Sequence, residues 1–433
     1  MKKRILIIIS ALLVLFMILS AVGCGADDQG ANNESTTIGG GETDGDGGTT
    51  GNNDNTDDSG NTDSGNTDSG NTDDGGDTGD GGDTTPDNGD DVDDTAPAPD
   101  SWFKNTTYNL ATDEEHFKLY GRMQKVSSGV TCDLTASGIE FSGTFTGSVN
   151  LTLNASADTY FTVYIDGVRS ETRFYAKPGL STLKIADFAE TGQHTIRVLK
   201  QSELQRSYTE LRSVRINGKL DDAPAAKKVY IEVIGDSITC GYGNLCTKGT
   251  ADAGTALYED GTQAFPFMTA EALGADYSIM GCSGVGIDKG WTAFSESDFY
   301  PQWSYYRDKT GNPYDFSSAR VPNLVIINLG TNDVAKGSTE ETFKEKAKAL
   351  IEYIRTAYGK DVNIIWTHDM MGESRATWVK DLFAGMGGES AGLYSVTLNT
   401  DKTGGGSHPS IDGHKTATEI LTAFINEKNL LPK

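Results

Sequence analysis

From Asn105 to Leu220 the chain alternates apolar and polar residues in short runs that end in turn residues. "GIEFSGTFTG", "SVNLTLNAS", "TYFTVYIDG" and "GQHTIRVLK" are examples. A period of two marks strands with one buried face. Repeated short strands of this kind predict a β-sandwich, jelly-roll-like, over residues 105–222, and YIDG reads as a hairpin turn. After "DDAPAAKK" the pattern changes. "VYIEVIGDS", "YSIMGCSG", "NLVIINLGTND", "VNIIWTH" and "GLYSVTL" are short continuous apolar runs, the mark of strands buried on both faces. Between them lie helix-period segments: "FPFMTAEALG", "STEETFKEKAKALIEYIRTAYG", "SRATWVKDLFAGM" and "DGHKTATEILTAFINEK". Ser338 and Glu341 stand at capping-box spacing before the second of these. Alternating strands and helices predict a parallel sheet between two helix layers over 227–433, with the site at the C-terminal strand ends. Ser237, Gly284, Asn332 and His408 all fall in loops at or beyond those ends.

The first hundred residues follow neither pattern. "MKKR" precedes an uncharged apolar run that closes in "AVGC". Residues 1–24 read as an export signal. They also resemble a bacterial lipobox, which implies that Cys24 becomes a lipidated N-terminus. Residues 25–104 read as an acidic tether: Ala26 to Asp100 holds 20 Asp, 2 Glu and no Lys or Arg. Too little apolar surface is available there to offset the entropy of ordering. The expectation is an exported, cell-surface protein held to the membrane by its N-terminus alone. Ser101 to Lys433 carries 33 basic and 40 acidic residues without a basic run, which argues against nucleic acid as a partner. Cys132, Cys240, Cys246 and Cys282 show no CxxC spacing, so zinc is not indicated and any disulfide pairing stays open.

"GDSIT" places Ser237 just past a buried strand, and Thr239 stands where a nucleophile elbow needs glycine. "GDSITCGYGN", "CSGVG", "LGTND" and "HPS", in that order, resemble the four blocks of the SGNH (GDSL-type) hydrolases. With the sandwich in front and "GR" at Gly121 and Arg122, residues 105–430 resemble carbohydrate esterase family 2, acetyl-xylan-type esterases. The resemblance implies Ser237 as nucleophile and His408 as base, and no cofactor or metal. Ser237 N–H, Gly284 N–H and the Asn332 amide are the implied oxyanion donors. His116 and His194 lie in the sandwich, His368 ends a strand at the same edge and rivals His408, and His414 reads as a surface residue of the last helix.

The acid usually found three residues before the histidine is absent: that position is Gly405. Some family members lack it and are read as Ser-His dyads, with a backbone carbonyl free to orient the imidazole. Asp401 is the remote substitute. Asp236 and Asp333 read as loop braces. The insertion from Gly290 to Phe316 is rich in aromatics, among them Trp291, Phe299, Tyr300, Trp303, Tyr305 and Tyr306. Flat apolar rings suit pyranose faces, so Trp291, and after it Trp366, are candidates to line the cleft. The expected activity is removal of acetyl groups from polysaccharide by a monomeric enzyme. Two alternatives stand beside it: a surface carbohydrate-binding protein with a weak or idle site, and an SGNH lipase or thioesterase.

Overall fold

The structure, a computed structural model, describes residues 104–300, 314–372 and 375–432. The signal segment with Cys24, the tether up to 103, and Trp303, Tyr305 and Tyr306 lie outside the described residues, as does the side chain of Phe299.

The first region is one antiparallel sheet of ten strands. Its centre pairs Gly138–Ala155, Gly179–Lys200 and Thr209–Leu220. The runs "GIEFSGTFTG" and "SVNLTLNAS" are a single 18-residue strand. Register shifts between Phe145 and Gly147 and between Val149 and Asn150 bend it. Bulges add twist and curl, so this one sheet wraps its own core, including Phe141, Phe145, Leu151, Phe161 and Ile196. The YIDG turn closes with Asp166 at φ 51° and Gly167 at φ 80°, the left-handed pair that a two-residue hairpin needs.

The second region has five parallel strands in the spatial order Asp276–Gly281, Tyr230–Gly235, Leu324–Asn328, Asn363–His368, Leu393–Thr397. One face, with Ile234, Ile327 and Ile364, packs under Glu340–Tyr358 and Ala376–Gly385. The other, with Val233, Ile326 and Ile365, packs on Phe265–Ala272 and Ile411–Glu427. This is a three-layer α/β/α arrangement.

The two regions form one compact unit. Leu134 and Leu204 of the β region enter one helical-face core, and Tyr120, Ala136, Tyr164 and Leu199 enter the other. A buried ion pair joins them as well. Arg122 Nη2 donates to Glu232 Oε2 at 2.9 Å, with both side chains fully buried. Tyr358 donates to the same oxygen at 3.1 Å, and Tyr300 donates to Glu232 Oε1. The guanidinium lies 4.2 Å from the Tyr314 ring centroid and 4.8 Å from that of Tyr300. Removing one partner of such a pair strands the other charge in low dielectric. Arg122→Ala is therefore expected to lower unfolding stability by ~3–5 kcal/mol, read as a fall in the denaturant midpoint. Paired apolar replacement of Arg122 and Glu232 should cost far less.

Three sequence expectations are corrected. The long helix begins at Glu340 and is capped by Thr339, whose Oγ1 accepts the Thr342 N–H, while Ser338 donates its hydroxyl to Asp333. Trp366 is fully buried, not in a cleft: it sits among Phe343 and Phe383 and donates Nε1–H to Leu329 O at 2.9 Å. A strand buried on both faces has no outward side from which Trp366 could reach substrate. His414 is buried as well. It shares the inward stripe of its helix with Ala417, Thr418, Leu421 and Ile425. Its Nδ1 accepts the Phe265 N–H at 3.2 Å, and burial pushes its pKa down to about 3. The four cysteines in the described regions are free thiols.

Candidate active site

Ser237 opens a four-residue helix at the end of the Tyr230–Gly235 strand. Asp236 is its N-cap: Oδ1 accepts the Ile238 N–H at 3.0 Å, which braces the turn. His408 lies in the loop before the Ile411–Glu427 helix, which Ser410 caps. Its Nε2 is 2.8 Å from Ser237 Oγ. On the other side of the ring, Nδ1 faces the Gly405 carbonyl at 3.2 Å. Donation from Nδ1–H to that carbonyl leaves Nε2 as an acceptor for the serine hydroxyl, the tautomer a general base needs.

Gly405 has no room for a side chain. A Cβ there would stand 2.5 Å from Ala253 Cβ and 2.6 Å from Cys246 Sγ. Its N–H donates to Gly243 O at 2.9 Å, so the two loops touch backbone to backbone where a triad would place an acid. Asp401 is engaged elsewhere. Its carboxylate accepts from Thr403 N and Oγ1 and from Ser410 N and Oγ, at 2.7 to 3.1 Å. It staples the ends of the His408 loop rather than the ring. His368 pairs through Nε2 with Ser395 Oγ at 2.9 Å and through Nδ1 with Asp369 at 3.3 Å, and Ser237 faces His408.

Tyr242 stacks on the imidazole, with centroids 4.4 Å apart and planes at 28°. Burial pushes the His408 pKa down to about 4, against the pull of the Gly405 and Gly406 carbonyls, and the Arg206 guanidinium adds to the fall. Only the neutral ring can accept a proton from Ser237, so activity is expected to rise with pH through the folded pKa. The kcat/KM of an acetyl ester is expected to be half-maximal near pH about 4 and level from about pH 6 upward. An acid limb centred at the ordinary histidine value would contradict this. The profile is read in brief assays started from enzyme kept at neutral pH.

Ser237, Gly284 and Asn332 are the donors expected to face an oxyanion. The Ser237 and Gly284 N–H groups have no acceptor among the described residues. Gly284 has φ +81°, and a Cβ there would meet Trp291 Cβ at 3.0 Å. Asn332 is buried beside them, but both its amide hydrogens have partners: Nδ2 donates to Asp236 Oδ2 at 3.1 Å and to Val285 O at 2.8 Å. Asp333 accepts the N–H groups of Ile287, Asp288 and Lys289 and so fixes the turn beyond Gly284. Trp291 donates its backbone N–H to Gly284 O at 2.7 Å, and the residue is 68% exposed. Lys336 Nζ sits 3.3 Å from its ring centroid.

Two family models match the chain in sequence: Carbohydrate esterase 2 N-terminal over residues 119–224, and GDSL-like Lipase/Acylhydrolase family over 233–415. The chain belongs to carbohydrate esterase family 2. The second matched region is that family's GDSL-like hydrolase part. Cellulase/esterase CelE of Acetivibrio thermocellus is 28% identical over 317 residues, 70% of this chain, which spans 38% of that protein's length. An acetylxylan esterase/glucomannan deacetylase of Cellvibrio japonicus is 26% identical over 277 residues, 58% of this chain and 74% of that one. Among solved structures, a family two carbohydrate esterase from Clostridium thermocellum in complex with cellohexaose aligns with TM-score 0.63 at 26% identity, covering 73% of this chain and all of that one. An acetyl xylan esterase, Est2A, from Butyrivibrio proteoclasticus shares the fold, with TM-score 0.67 at 20% identity over 75% of this chain and 98% of that one.

Sequence reasoning missed Tyr242, although it lies inside the quoted "GDSITCGYGN" block. It also missed the β-region loop "QSELQRSY", Gln201–Tyr208, which reaches the catalytic loops. Nothing in that segment's spacing marks it as part of a site.

Proposed function

We propose that the chain is an exported, lipid-anchored serine esterase that removes O-acetyl groups from xylan- or glucomannan-type polysaccharide. The 2.8 Å approach of His408 Nε2 to Ser237 Oγ, with a carbonyl behind Nδ1, carries this reading. Ser237 Oγ attacks the acetyl carbon as its proton passes to Nε2. The tetrahedral oxyanion takes the Ser237 and Gly284 N–H groups, preorganised dipoles that need no rotation when charge develops. Asn332 joins them only when its hydrogen turns from Val285 O. Collapse expels the sugar oxygen, which takes the proton from Nε2, and leaves an acetyl-serine. Water, deprotonated by His408, then releases acetate and restores the serine. Trp291, exposed beside Gly284, offers an apolar face to a sugar ring. The acetylxylan esterase relatives support the substrate class. The "MKKR" start, the apolar run and "AVGC" support anchorage through Cys24.

Acetate release from acetylated xylan and glucomannan, set against long-chain acyl esters, tests the reading. Release from a polysaccharide with no turnover of long acyl chains is expected. Sugar binding without acetate release would instead make the chain a carbohydrate-binding protein.

A further inference from the structure

The loop Gln201–Tyr208 connects two long strands of the β region, Gly179–Lys200 and Thr209–Leu220. Its Leu204 is buried in the α/β core. The residues on either side of Leu204 grip the loop that carries Gly284. Glu203 Oε2 accepts the Ser283 N–H at 2.7 Å. Gln205 Nε2 donates to the Ser283 carbonyl at 2.7 Å and lies 3.1 Å from Cys282 Sγ. Two successive peptide planes, before and after Ser283, are therefore held by side chains of the other region.

Peptide geometry gives this grip a consequence. The bond from Ser283 to Gly284 is planar and trans, so its C=O and N–H point in opposite directions from one plane. A donor that fixes the Ser283 carbonyl thereby fixes the direction of the Gly284 N–H. Gly284 has no Cβ to resist rotation of that plane. Gln205 supplies the restraint, and Glu203 holds the plane before it.

Glu203 is itself locked in place. Its N–H donates to Glu259 Oε1 at 2.5 Å and its carbonyl accepts Lys200 Nζ at 3.0 Å. Arg206 stands between the two carboxylates, 2.9 Å from Glu203 Oε1 and 3.1 Å from Glu259 Oε2. Glu203, Glu259 and Lys200 are fully buried. Burying that many charges is costly where apolar packing would hold a seam equally well. The same loop also borders the base, since the Arg206 guanidinium lies 5.3 Å from the centroid of Tyr242, the ring stacked on His408.

We infer that Glu203 and Gln205 are positioning residues for the esterase reaction: acting through Ser283, they aim the Gly284 N–H at the oxyanion. The β region is then part of the transition-state machinery. The inference rests on the proposed role of Gly284 as an oxyanion donor.

The test uses the full chain, 4-nitrophenyl acetate as substrate and benzeneboronic acid as a probe whose tetrahedral serine adduct needs the same donors. Gln205→Ala is expected to lower kcat by about 10- to 100-fold, short of the loss of a whole oxyanion donor, with KM unchanged within about twofold. Gln205→Glu, which puts an acceptor against the carbonyl, should lose more. Glu203→Gln keeps an acceptor for the Ser283 N–H and should stay within a few-fold of wild type, while Glu203→Ala should match Gln205→Ala. Boronate affinity should weaken by the same factor as kcat, at an unchanged melting temperature for the Gln205 variants. Gln205 is exposed, so its variants carry the test if Glu203→Ala fails to fold. Wild-type kcat in both Gln205 variants, with the wild type blocked by boronate and Ser237→Ala inactive, overturns the positioning role and leaves the esterase reading standing. A fall in kcat that follows a fall in melting temperature, with boronate affinity intact, also overturns it. A wild-type enzyme indifferent to boronate, with an active Ser237→Ala, overturns the esterase reading itself.

Discussion

Ser237→Ala will abolish acetyl release, with a loss on the order of 10⁴-fold or more in kcat, while the protein folds as before. Among the described residues the hydroxyl's one hydrogen-bond partner is His408 Nε2, and the turn that carries it is braced by Asp236 rather than by Ser237. Deleting one oxygen therefore removes the nucleophile without removing a cap or a core contact. What remains is the pair of backbone donors, Ser237 N–H and Gly284 N–H, which polarise a bound ester but supply nothing to attack it. Melting temperature and kcat are read on the same preparation. An unchanged melting temperature beside lost turnover is the expected pair, and near-normal turnover would remove Ser237 from the mechanism.

Ser237, Gly284 and Asn332 were legible as candidates because each sits where a buried strand meets a glycine-bearing loop, and that conjunction is local in sequence. "VYIEVIGDS", "YSIMGCSG" and "NLVIINLGTND" each run an apolar-rich strand into an abrupt polar turn. What failed was orientation within an element. Trp366 ends a strand at the active edge, but a strand buried on both faces gives no periodic sign of which side a residue takes, and Trp366 turned inward. His414 was misjudged for the opposite reason. Its helix does have a period, and counting three, four and seven residues onward reaches Ala417, Thr418 and Leu421, all buried. Thr339 displaced Ser338 as the cap because two adjacent hydroxyl residues offer the same chemistry one register apart. Glu203, Gln205 and Arg206 were not legible at all. Their partners lie at Glu259 and Ser283 and in the ring of Tyr242, contacts that exist only after the β region has packed on the parallel sheet.

His408→Ala is expected to cost about as much as Ser237→Ala, because nucleophile and base act as one unit and the second loss adds little to the first. The informative contrast is Asp401→Asn. If a carboxylate oriented the imidazole, neutralising it would cost on the order of 10⁴-fold through the wrong tautomer. Here Nδ1 faces the Gly405 carbonyl, and a carbonyl can accept but never donate, so the tautomer survives any change at Asp401. Asp401→Asn keeps an acceptor for Thr403 and Ser410 and so keeps the loop that carries His408. Its kcat is expected to stay within tenfold of wild type. Gly405→Asp, which writes an acid back at the vacant position, should damage the enzyme rather than improve it, because the first added carbon already collides with Ala253 and Cys246. Steady-state rates of His408→Ala, Asp401→Asn and Gly405→Asp on one acetyl ester separate a dyad from a displaced triad. A loss in Asp401→Asn as large as in His408→Ala would show that the carboxylate, and not the carbonyl, holds the base.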